Sequence, residues 1–137
     1  MTNIKHLEQE LCAGYAEEAR LYARALDLAE QASEQVGAGA DGNPLLNEIA
    51  DLLARVGVIE AETAGTREQW RRVGATPGAE LRAHLGDVAN LIQRMQSHLG
   101  QALDTAPRKK QALAPQLDEL AQREKGHAYG FGFSADL

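Results

Sequence analysis

The sequence predicts an all-α fold: an elongated antiparallel bundle of three long helices, the last kinked or broken near Pro107 and Pro115. Three observations predict it. First, from Leu81 onward apolar residues recur at Leu85, Val88, Ile92, Met95, Leu99 and Ala102, a spacing of four and three that marks one face of a helix. Second, glycine and proline interrupt such patterns at few places, chiefly Gly37–Gly42 and Gly74–Pro77. Third, hydrophobic residues make up 44% of the chain but aromatics only 4%. Much of the apolar content is alanine, which favours helix and close helix contact while burying little area, so a thin seam is expected. The 137 residues fit one domain, with a helical bundle over 1–125 and a Gly/aromatic tail over 126–137.

The first helix is expected from about Asn3 to Val36, with no proline and Gly14 its single glycine. Ile4, Leu7, Leu11, Tyr15, Tyr22, Ala25, Ala29, Ala32 and Val36 share one face, and Leu21, Leu26 and Leu28 widen it. Glu18 falls near the middle of that face. Either its carboxylate reaches the rim or pairs with an arginine, or it is a functional polar group in a partner groove.

After Gly37–Gly42, Asn43 suits an N-cap and Pro44 a first helical position. The second helix runs to about Val73 on the stripe Leu45, Ile49, Leu52, Val56, Ile59, Thr63, Thr66, Trp70, Val73, spaced as in a coiled-coil seam. Thr63 and Thr66 weaken the middle of the seam, and Trp70 anchors its end. Gly74 suits a left-handed C-cap, Thr76 a cap and Pro77 the opening of a third helix. So short a connection favours a third helix antiparallel to the second.

The second helix has about 30 residues, about 45 Å at 1.5 Å per residue. The third therefore runs out of partner near residues 105–107, while its stripe keeps phase through Ala106, Leu113, Leu117 and Leu120. The chain either overshoots the bundle, kinked at a proline, or folds back as a short fourth helix. The unbroken phase favours overshoot, which leaves the last third of the stripe uncovered. In the tail, Tyr129, Phe131 and Phe133 alternate with glycine, and either tuck against the bundle or form an arm that orders on a partner.

A net charge of −6 argues against nucleic acid and against anionic membrane surfaces. No apolar run approaches the roughly 20 residues of a membrane span, and the first residues lack a signal-peptide core. A cytoplasmic protein is expected. The single cysteine, Cys12, excludes an internal disulfide and any multi-cysteine zinc site. Its acidic surroundings would not lower its pKa, which argues against a nucleophile. Glu80 and His84 stand four apart, and Glu124 and His127 three apart; the first reads as a surface pair and the second as chance. Trp70-Arg71-Arg72 reads as an ordinary hairpin end. No catalytic constellation, cofactor motif or metal motif is visible, so the chain is expected to be neither an enzyme nor a metal or cofactor protein.

Ile59 to Gly74 (IEAETAGTREQWRRVG), Leu81 to Met95 (LRAHLGDVANLIQRM), Arg108 to Leu120 (RKKQALAPQLDEL) and the late Ala128-Tyr129-Gly130 together resemble the FlgN-type flagellar export chaperones. That family pattern is a long first helix, an antiparallel hairpin, a long last helix and a Tyr-Gly near the C-terminus. Phe131-Gly132-Phe133 and Pro115 depart from it. The resemblance implies a small cytoplasmic chaperone that holds hook-associated, hook–filament junction subunits before type III export and binds them through its C-terminal region. On this chain the binding residues would be Leu113, Leu117, Leu120 and Tyr129, with Phe131 and Phe133 in the adjoining arm. The alternative is an oligomeric structural or adaptor bundle whose spare stripe pairs with itself as a homodimer.

Overall fold

The computed structural model describes residues 3–39, 41–104 and 106–128. They form four helices: α1 (Ile4–Gly37), α2 (Asn43–Val73), α3 (Ala79–Leu103) and α4 (Pro107–Ala128). Asn3 caps α1, its side chain accepting from the His6 N–H at 3.2 Å. At α2 the sequence expectation shifts by one residue: Gly42 is the N-cap, Asn43 and Pro44 are already helical, and Asp41 takes the Asn43 N–H at 2.9 Å. Gly74 closes α2 in the left-handed conformation (φ 65°), which glycine adopts without a Cβ penalty. α3 starts two residues later than Pro77. Its N-cap is Gly78, whose N–H donates to the Glu8 carboxylate of α1 at 3.1 Å.

Cross-helix contacts fix the directions. Thr66 donates to Glu10 at 3.0 Å and Arg24 pairs with Glu48 at 3.5 Å, so α1 and α2 are antiparallel. Glu8 meets Gly78 and Ser33 donates to Gln101 at 2.7 Å, so α1 and α3 lie side by side in the same direction. Gln116 reaches the Ala50 carbonyl and Arg123 reaches Glu60, so α4 runs parallel to α2. Successive helices alternate in direction. In the packing, α1 lies against α2 and α3, while α4 lies against α3 and α2.

This arrangement corrects two expectations. α3 is antiparallel to α2 in direction, but it packs on α1 and α4 rather than forming a closed hairpin with α2. The chain also does not overshoot. α3 ends at Leu103, the Ala106 N–H bonds the Leu103 carbonyl, and Pro107 opens α4, which folds back along the bundle. The length count took α2 as the partner of α3. Because α3 lies on α1 instead, its other side is left for α4 to cover. The stripe keeps its phase because α4 turns its leucines toward the same core.

The α3 stripe from Leu81 through Ala102 is buried throughout, as are Leu7, Leu11, Tyr15, Tyr22, Ala25, Ala29 and Ala32 of α1. The α2 seam is broader than a strict heptad seam. Leu46 and Leu53 are buried beside Ile49, Leu52 and Val56, because α2 faces both α1 and α4. At its far end Trp70 is fully buried while Val73 is 40% exposed. Gly14 marks the close approach of α1 to α2: a Cβ there would lie 3.1 Å from the Thr63 methyl. No helix among the described residues is long and apolar enough to cross a membrane.

Candidate functional site

Of the residues expected to bind a partner, Leu113 and Leu120 are buried in the core of the chain itself and Leu117 is half-buried against it. The stripe is therefore not spare, as the length count had it. Leu113 and Leu120 are closed to any partner as long as α4 stays packed. Tyr129, Phe131 and Phe133 lie outside the described residues. The helix continues to Ala128, past the expected start of the tail at 126.

The polar counterpart of this surface lies where α1, α2 and α4 meet. Glu18 of α1 is 1% exposed and is neither at the rim nor in a salt bridge. The position follows from the helix: Tyr15, Glu18 and Tyr22 are three and four residues apart and so share the inward face. Across from them α2 presents Glu60, Thr63 and Arg67, again at spacings of three and four. Arg67 donates to the Thr63 hydroxyl at 2.7 Å and to the Glu60 carbonyl at 2.9 Å, and pairs with the Glu60 carboxylate at 2.5 Å. From α4, Arg123 donates to Tyr22 Oη at 3.3 Å and to Glu119 at 3.0 Å, and its Nε lies 3.7 Å from Glu60 Oε1. Beside the cluster opens a cavity of about 290 Å³, lined in part by Tyr15, Glu60, Arg67, Glu119 and Arg123.

Neither Glu18 oxygen meets a partner at strict hydrogen-bonding geometry, but the Glu60 carboxylate interacts with it. Two buried like charges in contact are disfavoured, so the pair holds a proton. That proton belongs on Glu18, the more deeply buried of the two. Glu60 is itself ion-paired to Arg67 and approached by Arg123. Burial first, then Glu60, pushes the Glu18 carboxyl up to about 9, against a smaller opposing pull from Arg123 and Arg67. Burial likewise pushes the Tyr15 and Tyr22 hydroxyls well above the usual phenol range.

The arrangement is a polar clasp. Arg123 is the side chain by which α4 enters it. Along the rest of α4 the attachments are modest: Leu113 and Leu120 buried, Lys109 bonded to Asn47, and Gln116 reaching the Ala50 carbonyl at 3.4 Å. Pro115 sits on the exposed side, inside the helix. It supplies no N–H to the Gln111 carbonyl, a loss of helical bonding that usually weakens or kinks a helix.

Sequence reasoning singled out Glu18 and the weak middle of the α2 seam, but not the clasp. The available signal was the polar run Glu60–Thr63–Arg67 on the same turns as that weak seam. Arg123, three residues beyond Leu120, would have completed it had α4 been read as folded back.

Comparison with family models, with curated proteins and with solved structures finds no match.

Proposed function

We propose that this chain is a protein-binding helical bundle, a chaperone of the FlgN type that takes an amphipathic helix of a hook-associated or other exported flagellar subunit into the place that α4 fills. The observation that carries this reading is the character of α4. It has few apolar anchors, it is interrupted by Pro115, and it is fastened at its far half by charged and polar groups. Elements that open locally are those with few buried apolar contacts. Opening α4 would uncover the Leu120-facing surface of α3 and α2, an apolar groove of the kind that accepts an amphipathic helix at spacings of three and four. The sequence resemblance supplies the subunit class. An incoming helix that buries a few leucines gains roughly 1.5–3 kcal/mol for each, before ordering costs. Binding of that strength is reversible, as delivery to an export apparatus requires.

The test is calorimetric titration of the purified chain with helical terminal segments of hook–filament junction subunits, combined with amide hydrogen exchange. Binding is expected to lower protection in α4 while α1, α2 and α3 keep theirs. Absence of binding, or binding with α4 protection unchanged, overturns the reading.

A further inference from the structure

At the opposite end of the bundle from the α3–α4 turn, α1 and α3 run side by side and bring a cysteine of α1 up to a glutamate and a histidine one turn apart on α3. Cys12 of α1 faces Glu80 and His84 of α3, and one donor atom from each lies within 4.8 Å of the others. Glu80 Oε1 and His84 Nε2 are 3.9 Å apart, the reach expected of residues four apart on one helix. The site opens on a cleft of about 790 Å³ whose wall includes Glu8 as well as these three. We propose that Cys12, Glu80 and His84 form a zinc site that ties α1 to the first turns of α3, with a fourth position open to water.

The donor chemistry selects the metal. A thiolate, an imidazole and a carboxylate are all zinc donors, and three protein ligands with an open fourth position is the usual composition of a non-structural zinc site. Calcium and magnesium prefer all-oxygen sets, so the thiol and imidazole count against them. Zn–S near 2.3 Å and Zn–N or Zn–O near 2.0 Å, at tetrahedral angles, place the donors about 3.3–3.5 Å apart. The 3.9 Å between Glu80 and His84 closes to that by a rotamer change of Glu80, whose side chain is 80% exposed, and the Cys12–His84 pair, within 4.8 Å, closes by a shift of the His84 ring. Cys12 is buried among apolar neighbours and so held in place, while His84 is half-buried at the mouth. Glu8 adds negative potential that attracts a cation. Its carboxylate also binds the Gly78 N–H, which fixes the start of α3 against α1 and so sets the register that aligns Glu80 and His84 with Cys12. Lys5 lines the same cleft and is the one opposing charge among its described residues.

Cobalt(II), which occupies zinc sites and is coloured, is the probe. Titration of the full chain is expected to give a thiolate-to-cobalt charge-transfer band and tetrahedral ligand-field bands that saturate at one equivalent and are displaced by zinc. Cys12→Ser should abolish the charge-transfer band. His84→Ala should weaken binding by about 100-fold or more, since loss of even outer-shell partners commonly costs 10–100-fold. Glu80→Gln alters an exposed side chain, leaves the fold intact and should weaken binding at least about tenfold. His6→Ala removes the histidine of α1, 2.9 Å from Glu10, and should change nothing. Cobalt bands without thiolate charge transfer, or parent-like affinity in the Glu80→Gln and His84→Ala proteins, overturn the proposal.

Discussion

Replacing Glu18 with glutamine should stabilise the protein at neutral pH, and the structure sets the size of the gain. Glu18 is 1% exposed and its carboxyl is pushed up to about 9 from an ordinary value of 4.5, mainly by burial and next by Glu60. The folded chain therefore keeps a proton that the unfolded chain releases above about pH 4.5. The sign follows: stability is greatest below the unfolded-state value and falls as pH rises toward the folded-state value, because in that window the folded state binds more protons. Each pH unit is worth about 1.4 kcal/mol, so by pH 7 roughly 3 kcal/mol has been lost to protonating this one group. Glutamine is nearly the same shape as the protonated acid, and it presents an N–H toward Glu60 without drawing a proton from solvent. Glu18→Gln should thus be more stable by about 3 kcal/mol at pH 7, with the advantage vanishing toward pH 4.5. Urea denaturation of both proteins from about pH 5 to about pH 8 measures this directly. A Glu18→Gln protein less stable than the parent at every pH, with a constant gap, would refute the reasoning. It would mean that Glu18 is ionised and held by Arg67 and Arg123.

Two further outcomes concern α4. Leu120→Ala removes a fully buried side chain, a change that costs about 2–5 kcal/mol in a well-packed core; if α4 opens separately, the loss should appear as weaker protection of α4 amides while α1 to α3 retain cooperative unfolding. Pro115→Ala restores a bond to the Gln111 carbonyl and should strengthen α4 by about 1–3 kcal/mol, slowing α4 exchange and weakening capture of a subunit helix, both readable by hydrogen exchange and calorimetric titration.

The four-and-three spacing made the helices and most of the core legible: every member of the α3 stripe from Leu81 to Ala102 is buried as the spacing implies. Helix adjacency was less legible, because an amphipathic face says that a helix must pack but not on what. The short Gly74–Gly78 link suggested α2 as the neighbour of α3, yet α3 packs on α1, where Gly78 meets Glu8 and Ser33 meets Gln101. That choice decided the fate of Leu113 and Leu120. Glu18 was visible as a polar residue on an apolar face, but its setting was not, since Glu60 and Arg123 come from helices whose rotation one-dimensional spacing leaves open. The convergence of Cys12 with Glu80 and His84 was hidden for the same reason: it depends on α1 and α3 lying parallel and in register, which Glu8 and Gly78 determine in three dimensions.

Native-state hydrogen exchange of the free chain tests the central claim most directly. If α4 is the exchangeable element, its amides should open together at a free energy well below that of α1, α2 and α3, and Pro115→Ala should raise that value alone. If all four helices exchange only through global unfolding, α4 is a permanent part of the core and a partner helix has no place to enter.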